Sequence, residues 1–287
     1  MKSVLSPPFL RLALFAALPQ ETAGFMRRTG PWSRLAASPC PAWTSERKDC
    51  SLLLVRTGMG MHRLPRLFEW AAAQRGCDLV VSFGFGGGLT PELQVGDLCL
   101  CNRFFRWSPD KSTIEPDGLA MDGRVCERIL KAFHAVRTCV DVTTPRVASK
   151  SEIGRHLNPL TGGSPALVDM ESHTLAQLAH EASIPFVTLR SISDTLDHKL
   201  DFDLSSIADG QGNIRIPQFA ATVLRRPCLL RSFLHLWRDS RRAALSLSEA
   251  AAALVSLPAD QIRAILETSR VTPWKMGALE GSQNAWA

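Results

Sequence analysis

Apolar runs, each about as long as one buried β-strand, recur through the first two thirds of this chain. They are nearly continuous rather than alternating, which is typical of strands covered on both faces. Helical patterns, with apolar residues three and four positions apart, separate them. The runs occupy residues 10–17, 52–56, 79–83, 97–101, 166–170 and 186–192, and the clearest helical patterns occupy 64–71 and 175–182. This alternation predicts a layered α/β fold around a buried sheet.

The pattern divides the chain into three regions. Residues 1–222 are predicted to form the α/β domain, residues 223–275 a basic helical extension, and residues 276–287 a disordered tail. Two segments with little periodicity, 29–49 and 107–118, interrupt the first region. Loops of that length commonly serve a site or are disordered, so both are expected to lie at the surface.

The start of the chain has two interpretations. Lys2 followed by apolar residues as far as Leu18 imitates a secretory signal. Residues 9–17 also have the length and composition of a buried first strand. No apolar stretch elsewhere reaches the roughly 20 residues that a membrane-spanning helix needs, so a spanning helix is not expected.

The amino-acid composition limits the cellular location and the binding partners that can be expected for this protein. Hydrophobic residues make up 45% and charged residues 21% of the chain, as in ordinary globular proteins. Eight scattered cysteines form no C-x-x-C pair and no zinc-finger spacing, which predicts reduced thiols, a cytoplasmic location and no metal site. The formal charge of +6 permits an acidic partner such as nucleic acid or an anionic membrane, without deciding the fold.

Two carboxylates stand at the ends of consecutive predicted strands. Glu171 follows the strand at 166–170, and Asp194 follows the strand at 186–192. Ligands of open α/β sheets bind outside the carboxyl ends of the strands, so both acids can face one pocket. The alternative is structural, with Glu171 capping the next helix and Asp194 opening a turn.

Glycines follow two of the predicted strands, at Gly58 and Gly60 and at residues 84–88. Glycine lets the backbone approach a ligand closely and offers it N–H groups. Neither group matches a dinucleotide-binding fingerprint, and no phosphate-binding P-loop sequence is present. Each is therefore either a tight turn or a ligand cradle.

These motifs together resemble the purine nucleoside phosphorylase superfamily, in particular its methylthioadenosine/S-adenosylhomocysteine nucleosidase branch. Three separated segments carry the resemblance over residues 9–200: Ser82-Phe83-Gly84-Phe85-Gly86-Gly87-Gly88-Leu89-Thr90-Pro91 with Val95-Gly96-Asp97, Val168-Asp169-Met170-Glu171-Ser172, and Arg190 with Ser193-Asp194. The resemblance implies an α/β/α sandwich with a mixed central sheet. It also implies an enzyme that cleaves a glycosidic C–N bond, without a cofactor, as a homo-oligomer.

The resemblance also implies roles for individual residues. Glu171 matches the acid that binds the ribose 2′- and 3′-hydroxyls, and Met170 the residue that packs against the sugar. Asp194 matches the acid that gives a proton to purine N7, with Ser193 beside it and Arg190 helping to hold it.

Further matches involve the first strand and the glycine segment. Glu21 matches the glutamate that orients the attacking water, which makes the first strand part of the enzyme rather than a signal. Phe85, Gly86 and Gly87 match the segment beside the substrate, although many nucleosidases have a serine where this chain has Phe85. Any hydroxyl contact at that position is therefore lost.

The chemistry suits these residue types. Cleaving an N-riboside leaves negative charge on the departing purine, and a positioned acid that protonates it contributes about 10² to 10⁴ in rate. A carboxylate can accept charge-assisted hydrogen bonds from two sugar hydroxyls. Phosphorolysis would need phosphate as co-substrate and a cationic site, for which Arg56 and Arg103 are the candidates. Hydrolysis releasing adenine is the favoured prediction.

The last part of the chain suggests a particular substrate. Residues 228–242 form a basic amphipathic pattern, which predicts either packing on the domain or contact with an anionic membrane at the inner face. With Gly212-Asn213-Ile214-Arg215 and Arg225-Arg226-Pro227, this tail resembles the hopanoid-associated branch, whose substrate is the lipid-linked nucleoside adenosylhopane. The alternatives are a nucleosidase or phosphorylase for small nucleosides, or a catalytically silent binding protein; a nucleic-acid partner is not expected.

Overall fold

In the computed structural model, the described residues are 9–133, 135–146, 148–197, 229–267 and 269–274. They contain twelve strands and eight helices. The strands are β1 (Leu10–Ala16), β2 (Ser33–Arg34), β3 (Ala42–Glu46), β4 (Cys50–Arg56), β5 (Leu79–Gly88), β6 (Leu98–Ser108), β7 (Thr113–Ile114), β8 (Gly118–Met121), β9 (Val136–Thr143), β10 (Ala166–Asp169), β11 (Phe186–Asp194) and β12 (Val271–Trp274). The helices are α1 (Pro19–Thr29), α2 (Leu64–Arg75), α3 (Gly123–Ala132), α4 (Lys150–Gly154), α5 (Asn158–Thr161), α6 (Ser172–Glu181), α7 (Leu229–Val255) and α8 (Ala259–Leu266).

The strands form one mixed sheet with helices packed against it. Its order is β12-β8-β6-β9-β10-β5-β1-β4-β3-β2, and β11 bridges β5 and β6. Strands β5, β10, β9, β6 and β11 therefore close into a ring of five. β1 and β11 both run parallel to β5, whereas β10 runs antiparallel to it. The predicted α/β fold with a mixed central sheet is confirmed.

All six predicted strands are present, but the glycine segment differs from the prediction. Residues 84–88 belong to β5, which continues through Gly88 instead of ending in a loop. β10 and β11 flank this end of β5, and they pair with Gly87 through Val168 and Asp194. Extended pairing on both sides leaves no tight turn for the glycines to make. Their role is to leave space for side chains at the site.

The two expected surface excursions contain regular structure. Between residues 29 and 49, β2 and β3 extend the sheet beyond β4. Between residues 107 and 118, β7 pairs with the end of β6. The sequence patterns also missed α1, whose first residue is Pro19, a common first residue of a helix.

The C-terminal residues complete the same core. Leu247 and Leu254 of α7 are buried in the main apolar cluster, and this helix packs against α1 and β11. The helical segment ends in β12, an edge strand beside β8 that was not predicted. The proposed boundary at 222 and 223, the two motifs within 212–227 and the tail from 276 lie outside the described residues. In the part of the chain that the structure describes, no helix combines the length and apolarity needed to cross a membrane.

Candidate active site

A cavity of about 600 Å³ opens where β5, β10 and β11 end, beside the start of α1. Eight of the nine predicted site residues line it: Glu21, Phe85, Gly86, Gly87, Met170, Glu171, Ser193 and Asp194. The ninth, Arg190, lies beside it in a smaller hollow and is 2% exposed. The fold thus brings together acids from α1, near the start of the chain, and from the end of β11.

Glu171 lies between β10 and α6, at the N-cap of the helix. Its Oε1 accepts a hydrogen bond of 2.9 Å from the N–H of Gly60, so the first glycine pair also contributes to the site. Burial, together with the negative charge of Asp169, raises the pKa of Glu171 to about 8, against the opposing effect of Arg190. Glu171 is therefore mainly protonated at neutral pH in the ligand-free protein.

Glu21 is buried in the first turn of α1 and turned towards the sheet. Its Oε2 accepts the N–H groups of Ala17 at 2.8 Å and Leu18 at 2.7 Å, and its Oε1 accepts that of Phe85 at 2.8 Å. Burial raises the pKa of Glu21, while these N–H donors and Arg190 oppose the rise. Three backbone donors fix the carboxyl group in a single orientation.

A small hollow lies between Glu21, Glu171 and Arg190. Its volume of about 10 Å³ is close to the minimum that holds one water molecule. Its walls offer carboxylate oxygens and a guanidinium group, and a buried water needs two to four such polar partners. One ordered water between Glu21 and Glu171 is therefore sterically and chemically reasonable.

Two glycines of β5 make room for particular side chains. A Cβ on Gly84 would lie 2.8 Å from Glu21 Oε1, and a Cβ on Gly87 would lie 2.8 Å from Lys150 Cε and 3.2 Å from Asp194 Oδ2. Real Cβ atoms essentially never make contacts as short as 2.8 Å. The glycine segment thus admits side chains from α1, α4 and β11, a role that differs from the predicted cradle of N–H groups.

Asp194, at the end of β11, is held by Ser193 and Lys150. Ser193 Oγ donates to Asp194 Oδ1 at 2.6 Å, and the ammonium group of Lys150 forms an ion pair with Asp194 Oδ2. No sequence signal pointed to Lys150, because it lies 44 positions before Asp194 in a segment without a recognised motif. It is the one cation among the described residues lining the cavity.

The expected link between Arg190 and Asp194 is wrong. Arg190 donates to Asp169 through Nε at 2.9 Å and Nη2 at 2.8 Å, to Ser82 Oγ at 2.8 Å and to the carbonyl of Leu189 at 3.1 Å. Its side chain points into the ring of strands, whereas Asp194 lies at the end of the strand. Asp169, which sequence reasoning left without a role, is therefore the partner of Arg190.

Asp169 anchors the chain between β10 and α6. It accepts the hydroxyl of Ser172 at 2.6 Å and the backbone N–H of the same residue at 3.0 Å. Burial alone would raise the pKa of Asp169, but the charge of Arg190 and the hydroxyls of Ser172 and Thr143 hold it below its ordinary value. A charged Asp169 fixes the backbone on which Glu171 stands.

Asp141 supplies a second buried carboxyl group. Thr143 Oγ1 lies 2.8 Å from Asp141 Oδ1 and 2.8 Å from Asp169 Oδ1, and it accepts the backbone N–H of His173 at 2.8 Å. A hydroxyl has one proton to donate, so one of the two carboxyl contacts must run in the other direction. Burial and the nearby Asp169 raise the pKa of Asp141 well above its usual range. Asp141 is thus the protonated member, donating to Thr143.

The two arginines suggested for a phosphate site lie elsewhere. Arg103 donates to the carbonyls of Leu160 and Thr161, at 2.9 and 2.8 Å. The guanidinium carbon of Arg56 lies 5.3 Å from the ring centre of Trp43. Neither arginine lines the cavity.

Residues 11–225 match the family model described as the phosphorylase superfamily. The chain belongs to this superfamily. A 5′-methylthioadenosine/S-adenosylhomocysteine nucleosidase of Tolumonas auensis is 22% identical over 201 residues, 64% of this chain and 86% of the relative. The corresponding enzyme of Anoxybacillus flavithermus is 22% identical over 232 residues, 73% of this chain and 91% of the relative.

The fold of this superfamily member also matches solved structures. A Neisseria meningitidis 5′-methylthioadenosine/S-adenosylhomocysteine nucleosidase, in complex with methylthio-immucillin-A, has a TM-score of 0.63 and 20% identity, covering 85% of this chain and 98% of that one. The prediction of an enzyme that cleaves a glycosidic C–N bond is confirmed by this membership.

Proposed function

We propose that this phosphorylase-superfamily chain hydrolyses the N-ribosyl bond of an adenine nucleoside and releases adenine. The observation that carries the proposal is the convergence of Glu21, Glu171 and Asp194 on one cavity of about 600 Å³, a volume within the range of small-molecule sites. The relatives named as nucleosidases point to the same chemistry.

Each acid has a different task in this reaction. Glu171 binds the ribose 2′- and 3′-hydroxyls, with Met170 against the sugar. Asp194, paired with Ser193, delivers a proton to N7 of the departing base. Glu21 orients the water that attacks the anomeric carbon, and the hollow between Glu21 and Glu171 is where that water would reside. Arg190 acts indirectly by holding Asp169, while Phe85, Gly86 and Gly87 form the wall beside the base.

Hydrolysis suits the charge of the cavity better than phosphorolysis. The described lining contains four carboxyl groups, Glu21, Asp169, Glu171 and Asp194, against the single cation Lys150. That cation already pairs with Asp194. Phosphate carries negative charge, and the described lining offers it no cation that is not already paired with an acid.

The 5′-substituent of the nucleoside is proposed to be apolar. Leu18, Met59 and Leu196 line the cavity, and Met59 is 40% exposed. A methylthio group fits such a surface. A longer lipid chain, as in adenosylhopane, is the second candidate, because these apolar side chains line the cavity and Met59 is exposed to solvent. Peripheral membrane contact through 228–242 belongs to this second candidate, and the side chains of that segment are described from 238 onward. A homo-oligomer is proposed separately, from the family resemblance.

The test uses the purified full-length chain with adenosine, methylthioadenosine, S-adenosylhomocysteine and adenosylhopane, with and without phosphate. Mass spectrometry measures free adenine and distinguishes ribose from ribose 1-phosphate. We expect adenine and free ribosyl product in both buffers, and a loss of about 10² to 10⁴ in rate in Asp194→Asn. Glu181→Gln, at an exposed position of α6, is the matched control.

Two results would contradict the proposal. Absence of free base from every nucleoside would refute the enzymatic function, and phosphate-dependent ribose 1-phosphate would refute hydrolysis. A preference for adenosylhopane over methylthioadenosine, together with vesicle binding that weakens with salt, would favour the lipid-linked candidate. Sedimentation of the same preparation tests the oligomer.

A further inference from the structure

The ammonium group of Lys150 has all three of its donors directed at the end of β11. Besides the ion pair with Asp194 Oδ2, Lys150 Nζ donates to the carbonyl of Asp194 at 3.0 Å and to that of Thr195 at 2.8 Å. An ammonium group has three protons to donate and no lone pair to accept with. Lys150 is therefore fully engaged with the acid and its backbone.

The surroundings are built around this ion pair. The side chains of Lys150 and Asp194 are 15% and 16% exposed, so little solvent competes with the contact. Gly87 leaves the space that Lys150 Cε and Asp194 Oδ2 occupy. Ser193 holds the other carboxylate oxygen. Three residues from two neighbouring strands thus maintain the position of one lysine from α4.

Asp194 is proposed to protonate N7 of the purine. As an ion-paired carboxylate, however, it carries no proton of its own. In the pair the transferable proton resides on Lys150 Nζ. Each carboxylate oxygen has two lone pairs, so Asp194 can keep its contacts with Ser193 and Lys150 while also facing the base. The ammonium group is the proton donor that the described structure pairs with Asp194 Oδ2.

We propose that Lys150 is the proton source for the leaving purine and acts through Asp194. As the glycosidic C–N bond breaks, its electron pair passes to the purine. A proton moves from Lys150 Nζ to Asp194 Oδ2, and Asp194 passes a proton to N7, so that the carboxylate is regenerated and Lys150 is left as a neutral amine. The amine then regains a proton from solvent water. Lys150 is a positioning and relay residue in this scheme, because it acts on the base through Asp194.

This inference rests on the proposed nucleosidase function and gives it a specific consequence. The need for Lys150 must depend on the leaving group, because a group that departs as a stable anion needs no proton. 4-Nitrophenyl β-D-ribofuranoside has such a leaving group, whereas adenine leaves as a strongly basic anion unless it is protonated. A purely structural role for Lys150 would affect both substrates alike.

The experiment compares Lys150→Met, Lys150→Arg and wild type in the full-length protein on methylthioadenosine and on 4-nitrophenyl β-D-ribofuranoside. We expect kcat for adenine release to fall by about 10² or more in Lys150→Met, at the lower end of a positioned acid's contribution. Release of nitrophenolate should change several times less. Lys131→Met, at an exposed position of α3, controls for the loss of one positive charge.

Lys150→Arg separates charge from proton transfer. Arginine keeps the positive charge and can still pair with a carboxylate, but its guanidinium does not give up a proton in proteins. We expect adenine release to remain low and nitrophenolate release to persist. Wild-type adenine release by Lys150→Arg, or equal losses on both substrates in Lys150→Met, would overturn the relay. A wild-type chain that cleaves neither substrate would instead refute the proposed function.

Discussion

Arg190 and Asp169 form a buried ion pair beneath the cavity, with side-chain exposures of 2% and 1%. Arg190 stands on β11 and Asp169 ends β10, which are not neighbours in the sheet. Their contact therefore crosses the ring of strands and fixes the two strand ends that carry Asp194 and Glu171. This single pair sets the geometry between the two acids of the proposed site.

Removing one partner of this pair should strongly destabilise the fold. Asp169→Asn leaves the Arg190 charge buried without a counter-charge, and breaking such pairs typically costs about 3–5 kcal/mol. The free energy of unfolding from urea denaturation measures the loss. Glu249→Gln breaks the exposed pair with Arg28 and should change stability by less than about 1 kcal/mol. Equal small effects in both variants would contradict the structural role of the Arg190–Asp169 pair.

The neighbouring acid Asp141 should tolerate the same substitution. Asp141 is neutral in the hydrogen-bond pattern around Thr143, and an asparagine NH₂ group can donate to Thr143 Oγ1 in place of the carboxyl proton. We expect Asp141→Asn to change the unfolding free energy by less than about 1.5 kcal/mol, the upper end of the net contribution of a single hydrogen bond. A loss as large as that of Asp169→Asn would show that Asp141 is the charged member.

Glu171 should make stability depend on pH. Its pKa is raised to about 8 in the folded protein from an ordinary value near 4.5. Between pH 4.5 and about 8, Glu171 is ionised in the unfolded chain but still protonated in the folded chain. The stability that Glu171 contributes to the folded protein is therefore complete below about pH 4.5, and this part of the free energy of unfolding decreases as the pH rises towards 8. The slope is at most about 1.4 kcal/mol per pH unit.

The measurement is urea denaturation of wild type and Glu171→Gln from about pH 5 to about pH 9, a range that spans the window of linkage. The raised pKa values of Glu21 and Asp141 act in the same direction in both proteins, so the difference between the proteins isolates Glu171. We expect the stability of Glu171→Gln relative to wild type to increase until the pH reaches about 8 and then level off. A constant difference would mean that Glu171 is already ionised at the acidic end of the range.

The sequence was sufficient to predict the strands that are apolar throughout, and with them the positions of Glu171 and Asp194. Strand β9 was missed because Arg137, Thr138 and Asp141 interrupt its apolar pattern. Asp141 is nevertheless buried, since burial favours its neutral form and Thr143 pairs with its Oδ1. A hydrophobicity pattern treats every aspartate as charged, so it cannot predict that a particular carboxyl group is neutral and buried in the folded protein.

The contacts between side chains were harder to predict than their positions. The family resemblance implied a contact between Arg190 and Asp194, but four positions along a strand span about 13 Å. In addition, β11 has an irregular register between Ile192 and Asp194. Lys150 reaches Asp194 from a separate five-residue helix. Such a contact depends on the closure of the sheet, which local sequence does not specify.

Gly87 provides a final test of the Lys150–Asp194 arrangement from the opposite side. In Gly87→Ala the new methyl group would lie 2.8 Å from Lys150 Cε and 3.2 Å from Asp194 Oδ2, so the lysine must move away from the acid. We expect adenine release to decrease by at least about tenfold, because small misplacements at a reacting centre can cost about 10² in rate. Nitrophenolate release from the activated riboside should decrease less, as in Lys150→Met.

Gly154→Ala is the matched control for this substitution. A Cβ on Gly154 would have no atom within 4 Å, and this glycine lies at the end of α4, the same short helix that carries Lys150. We expect both activities of Gly154→Ala to equal those of wild type. If Gly87→Ala also retained full adenine release, the space at residue 87 would not be required by the ion pair, and the placement of Lys150 against Asp194 would have to be abandoned.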